Sequence, residues 1–154
     1  MCIIGGFIFD VKSSLIFIVV FKFLRSYTGG YHFQNSNMCL LFSTLIMLLA
    51  IYLSHILLTL TTITMFLTLF STVTILYLAP VNHPNLSWNE KEYEYAHRQM
   101  VIRLCFILLC IVLFNTFAIS PFYYNLLSIS LFFVSLTVIL AKLLKQEVTP
   151  HEQY

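Results

Sequence analysis

Two long blocks without a charged side chain dominate the chain. No Asp, Glu, Lys or Arg occurs from Phe33 to Asn89, and Met38 to Ala79 is apolar over nearly all of its 42 residues. A helix that crosses hydrocarbon needs about 20 apolar residues, so this block predicts two crossings. Ser54-His55 is its one polar break near the middle, which predicts a tight turn there and helices over Met38–Leu53 and Ile56–Leu78. The first would be only about 24 Å long, which suits locally thinned lipid or a helix with little tilt. The second block, Leu104 to Ala141, is broken at Ser120-Pro121 and predicts helices over Leu104–Ile119 and Phe122–Leu144. Tyr123 and Tyr124 suit the aromatic belt at the tip of that hairpin.

The flanking segments are more mixed. Ile3 to Leu24 is apolar but carries Asp10, Lys12 and Lys22, which must face protein, headgroups or water; a tilted or re-entrant helix fits as well as a crossing. Pro80 closes the first hairpin, and Ser87-Trp88-Asn89-Glu90 has the spacing of a capping box, so a helix is expected from Trp88. The expected fold class is all-α: a polytopic helical membrane protein with two transmembrane hairpins and an N-terminal partial or re-entrant helix. It forms one integral membrane domain over 1–154. Its parts are an N-terminal helix and polar island (1–37), a first hairpin (38–79), a loop and helix (80–103), a second hairpin (104–144) and a tail (145–154).

Composition agrees. Charged residues make up 9% of the chain, against about a quarter in soluble domains. A net charge of +2 is too small to argue for nucleic acid, but its placement is informative. With two hairpins, Lys12, Lys22, Arg25, Lys91, Arg98, Arg103, Lys142 and Lys145 share one side and the hairpin tips carry none. The positive-inside rule then puts that side in the cytoplasm of a bacterial cell. The four cysteines show neither a CxxC pair nor a secreted framework, and no histidine lies at ligand spacing from a partner. No metal and no cofactor is expected.

The chemistry concentrates in the island Arg25-Ser-Tyr-Thr-Gly-Gly-Tyr-His-Phe-Gln-Asn-Ser-Asn-Met-Cys39. Gly29-Gly30 breaks a helix and permits positive φ, and Asn35, Ser36 and Asn37 are all competent N-caps for the next one. Cys39 then falls in a first helical turn, where the helix dipole and a nearby cation favour a thiolate. His32 stands seven residues earlier, about 10.5 Å away on a continuous helix, so it reaches Cys39 only if the glycines fold the chain back. Arg25 offers positive charge or a grip on a carboxylate. The plain alternatives are a packing cysteine and a solvated loop histidine. His55, Cys105 and Cys110 read as turn and packing residues.

The stretch Leu24-Arg25-Ser26-Tyr27-Thr28-Gly29-Gly30-Tyr31-His32, followed by Cys39, resembles the signature of the accessory gene regulator B family, membrane endopeptidases that mature quorum-sensing peptides. Ala79-Pro80 and Pro84-Asn85 are similar to the central loop of that family. The resemblance implies Cys39 as nucleophile and His32 as its base, with Arg25, Gly29 and Gly30 in support. It also implies a short amphipathic propeptide as substrate, closed afterwards to a thiolactone or lactone. The chain departs from the pattern in its shorter N-terminus and in Leu86, where the family usually has Lys. The partners expected are that propeptide and the lipid bilayer; a homodimer is compatible with the pattern. The competing readings are a partner-binding or transport subunit, and a truncated family member that folds but does not cut. Transport would call for charges at mid-membrane, which the spans lack.

Overall fold

A computed structural model of the protein describes residues 11–29, 36–82, 88–117 and 120–144. The described residues form five α-helices and no strand: α1 (Val11–Thr28), α2 (Ser36–Ile56), α3 (Thr61–Leu78), α4 (Glu90–Thr116) and α5 (Pro121–Leu143), with a 3-10 turn at Leu57–Thr59 between α2 and α3. Four segments are long and apolar enough to cross a membrane: Asn37–Thr59, Thr61–Leu78, Glu90–Thr116 and Pro121–Leu143. The protein is an all-α, multi-pass membrane protein built on two helical hairpins.

The turn of the first hairpin lies several residues beyond Ser54-His55. The Ser54 hydroxyl donates to the Ala50 carbonyl at 2.7 Å, so its polarity is satisfied inside the helix and ends nothing. The His55 ring rests against Phe122, with centroids 4.5 Å apart. α2 therefore runs on to Ile56 and is about 31 Å long, and no thinned lipid is needed. The start of α4 is also corrected. Asn89, not Ser87, is the cap: its side chain accepts from the Glu92 amide at 3.1 Å, and the Glu92 carboxylate accepts from the Asn89 amide at 3.0 Å. The second hairpin breaks at the expected place, because Pro121 occupies the first turn of α5, where its missing N–H is not needed.

α5 is the hub, packing against each of the other four helices. Its buried face is rich in small and hydroxyl residues: Ser128, Ser130, Ser135 and Thr137. Facing helix α3 buries Thr64 and Ser71 beside Ile75. Small residues let helix backbones approach closely in lipid, where the hydrophobic effect gives no drive between helices. The hydroxyls of Ser130, Ser135 and Thr137 cost little there because each bonds back along its own helix, whereas the buried Ser128 hydroxyl has no partner among the described residues. Ser71 donates to Leu67 at 2.6 Å and Ser130 to Leu126 at 2.6 Å. Asn125 adds one bond across helices, from its amide to the Ser54 carbonyl at 3.5 Å.

α1 is buried along its whole length through Ser13, Ser14, Phe17, Phe21, Leu24 and Thr28. It lies antiparallel to α4: Tyr27 meets Tyr95, with centroids 6.2 Å apart, while Phe23, earlier in α1, meets Phe106, later in α4, at 6.1 Å. Lys12 and Arg25 are thus about 20 Å apart along one helix axis. Lys12 lies at the end of α1 away from the island.

The C-terminus of α1 docks on the chain that leaves α3. The Val81 amide donates to the Thr28 carbonyl at 3.0 Å. Gly29 has φ +69°, and a Cβ there would run into the Val81 carbonyl oxygen. Asn82, buried, accepts from the Trp88 amide at 3.1 Å and donates to the Trp88 carbonyl at 3.3 Å, so one side chain closes the loop before α4. Val81 itself is fully buried.

Two stability outcomes follow from this packing. Ser71→Leu forces extra volume into the α3–α5 contact and should destabilise the protein by about 1–3 kcal/mol, read as a lower thermal midpoint in detergent; an unchanged midpoint would show that the contact is not tight. Gly29→Ala meets both a left-handed backbone and the Val81 carbonyl, and should cost about 1–3 kcal/mol in the same assay. Gly29→Asn, which tolerates that backbone better, should lose less of the part due to φ.

Candidate functional site

The island end of the bundle gathers the last turn of α1, the first turn of α2, and the Ala79–Asn82 segment. Arg25 sits in the last turn of α1, half-buried, with its guanidinium 5.4 Å from the centre of the Phe21 ring. Burial lowers the guanidinium's pKa from its ordinary value, and the negative charge that Cys39 can carry works against that depression. The group remains a cation at any physiological pH, since arginine titrates far above it. A cation kept partly out of water acts over short range with little screening.

Cys39 is the fourth residue of α2 and half-buried. Its backbone carbonyl accepts from the Ser43 hydroxyl at 2.8 Å, one turn further along. The first amides of a helix have no intrahelical acceptor, so the start of α2 presents N–H groups and the positive end of a helix dipole close to the sulfur. The spacing argument put Cys39 in a first turn, and that is where it lies. Cys105 and Cys110 lie in α4, the former exposed on the bundle surface. Among the described residues no cluster of His, Cys, Asp or Glu could hold a metal.

Of the residues singled out from sequence, Arg25, Gly29 and Cys39 are described. Arg25 and Cys39 are close enough to interact electrostatically. Gly29 forms the hinge that turns the chain off α1 under Val81. His32 and Gly30 lie outside the described residues, as do Pro84 and Asn85 of the central loop.

Sequence reasoning missed one residue at this end of the bundle. Arg103 of α4 donates to the Phe23 carbonyl at 2.6 Å and to the Ser26 hydroxyl at 2.7 Å. Its guanidinium also lies over the Phe23 and Tyr27 rings, 4.5 and 4.1 Å from their centres. Its only sequence signal is a cation just before a charge-free run, which reads equally well as a flank of the span.

Searches of curated proteins and of solved structures found no match to the chain. Against protein families, the model of accessory gene regulator B matches residues 1–140. That stretch takes in the island, both hairpins and nearly all of α5. The chain therefore belongs to the accessory gene regulator B family.

Proposed function

We propose that this membrane protein is a cysteine endopeptidase that cleaves a short, membrane-associated propeptide and promotes closure of its fragment to a thiolactone or lactone signal peptide. Cys39 is the nucleophile and His32 its base. Arg25 supports the thiolate, and Gly29 and Gly30 provide the turn that brings His32 back. The observation that carries this reading is the half-buried sulfur of Cys39 in the first turn of a spanning helix, within electrostatic reach of the Arg25 guanidinium, in a chain of this family.

The imidazole of His32 removes the thiol proton, and the sulfur attacks a peptide carbonyl. A carbon–sulfur bond forms, and amides at the start of α2 are suited to hold the oxyanion. The C–N bond then breaks as the His32 imidazolium returns its proton to the departing amine, leaving an acyl-thioester on Cys39. A thiol or hydroxyl inside the bound fragment attacks this thioester, closes the ring and frees the Cys39 sulfur. Exchange of one thioester for another is nearly balanced in energy. The protein therefore has to position the second nucleophile and keep water out, which an apolar bundle at the bilayer rim favours. Every group comes from one chain, so a homodimer is not required for the chemistry. Arg25, Arg98, Arg103 and Lys142 all flank the island end, so the positive-inside rule assigns that end to the cytoplasm.

Co-expression with a candidate propeptide tests the scheme. Cys39→Ala and His32→Ala should each abolish cleavage while the protein still accumulates in the membrane; product from Cys39→Ala would overturn the assignment. A soluble thiol reagent at pH 7 should modify Cys39 well ahead of Cys105, as mapped by mass spectrometry. Equal, slow modification would argue for an inert thiol.

A further inference from the structure

We infer that Arg103 is a positioning residue for this site: it grips the last turn of α1 from the side opposite Arg25 and so fixes where Arg25 stands relative to Cys39. The inference deepens the proposed function and rests on it for its meaning in catalysis.

The two faces of that turn are distinct. Phe23, Ser26 and Tyr27 follow the i, i+3, i+4 spacing of one helix face, and all three meet Arg103 through the carbonyl, the hydroxyl and the two rings. Phe21, Arg25 and Thr28, spaced i, i+4 and i+7, occupy the other face. Arg25 lies by the Phe21 ring there, and Thr28 accepts from Val81. The turn is thus held between α4 on one side and the Ala79–Asn82 segment on the other. Gly29 follows directly, so the chain entering the island starts from a fixed point.

Arginine suits this task in a way lysine does not. Both of its hydrogen bonds leave one nitrogen, Nη1, which an ammonium could imitate, but its planar group also stacks on aromatic faces. The Phe23 carbonyl and the Ser26 hydroxyl supply the two acceptors, and the Phe23 and Tyr27 rings supply the stack. Further packing keeps both rings in place: Phe106 lies against Phe23, and Tyr95 against Tyr27. A cation in a spanning helix is costly unless it is paired inside the protein, and this one is spent on the end of a single neighbouring helix.

The test needs no propeptide. The rate of Cys39 alkylation by iodoacetamide is measured in membranes for Arg103→Gln, Arg25→Gln, the double variant and Arg103→Lys. Arg103→Gln should slow Cys39 by about fivefold, and the double variant should be no slower than Arg25→Gln alone, because groups in one network do not add. Arg103→Lys, which keeps the charge but not the planar stack on Phe23 and Tyr27, should stay slow. Effects of the two single changes that multiply in the double variant would overturn the inference, as would full recovery with lysine. If Arg103→Gln does not accumulate, Ser26→Ala with Tyr27→Leu removes the grip from the α1 side, and the same comparison with Arg25→Gln decides. Coupling without any propeptide cleavage by the unaltered protein would leave Arg103 positioning Arg25 and overturn the peptidase reading instead. Cleavage without coupling would do the reverse.

Discussion

In hydrocarbon a backbone or hydroxyl group that lacks a partner inside the protein has none at all, and the bundle is arranged around that constraint. The hub helix α5 carries a run of serines and threonines that would read as polar in water. Turned back onto their own helix, all but Ser128 on its buried face become small, neutral contact points: Ser130 bonds to Leu126, Ser135 to Phe132 and Thr137 to Val134. α3 answers with Thr64 and Ser71. Close helix contact, rather than exclusion of water, then holds the hairpins together. Large apolar side chains such as Phe66, Leu69 and Phe70 are left on the outside, where a soluble protein would not leave them.

The same constraint favours the rim as the place for the proposed site. A thiol deep in lipid gains no charge, and a base there would have to stay neutral. At the edge of the spans the chain can keep its polar groups and still build on rigid elements. α1 ends there against α4 and the Ala79–Asn82 segment, and α2 starts there with Cys39 in its first turn. Polar anchors fix the surroundings: Asn82 holds both the amide and the carbonyl of Trp88, and Arg103 holds Phe23 and Ser26. The nucleophile of the proposed chemistry would thus rest on a helix end beside anchored chain segments.

Much of this fold was legible in the sequence, because a charge-free run in lipid has few options. The second hairpin breaks where Ser120-Pro121 said it would, since proline acts on the backbone whatever surrounds it. Ser54-His55 misled for the opposite reason: a serine marks a turn only when its hydroxyl lacks a carbonyl one turn back, and Ser54 has that of Ala50. The capping box was sound in kind and shifted by two residues, because Asn89 and Glu92 form the pair that Ser87 and Glu90 merely matched in spacing. At the site, the positive φ of Gly29 and the helical position of Cys39 are local properties and were readable. The grip of Arg103 on a helix end 80 residues away in sequence is tertiary, and no local pattern announces it.

The central claim is that the sulfur of Cys39 carries the acyl group during turnover. It is tested most directly with a propeptide whose internal ring-closing nucleophile is replaced by alanine, incubated with the membrane protein and followed by peptide mass spectrometry. The account predicts an adduct of the N-terminal fragment on Cys39 that neutral hydroxylamine removes, as it removes a thioester. Cleavage with no adduct on Cys39, or an adduct on Cys105 or Cys110 instead, would contradict it.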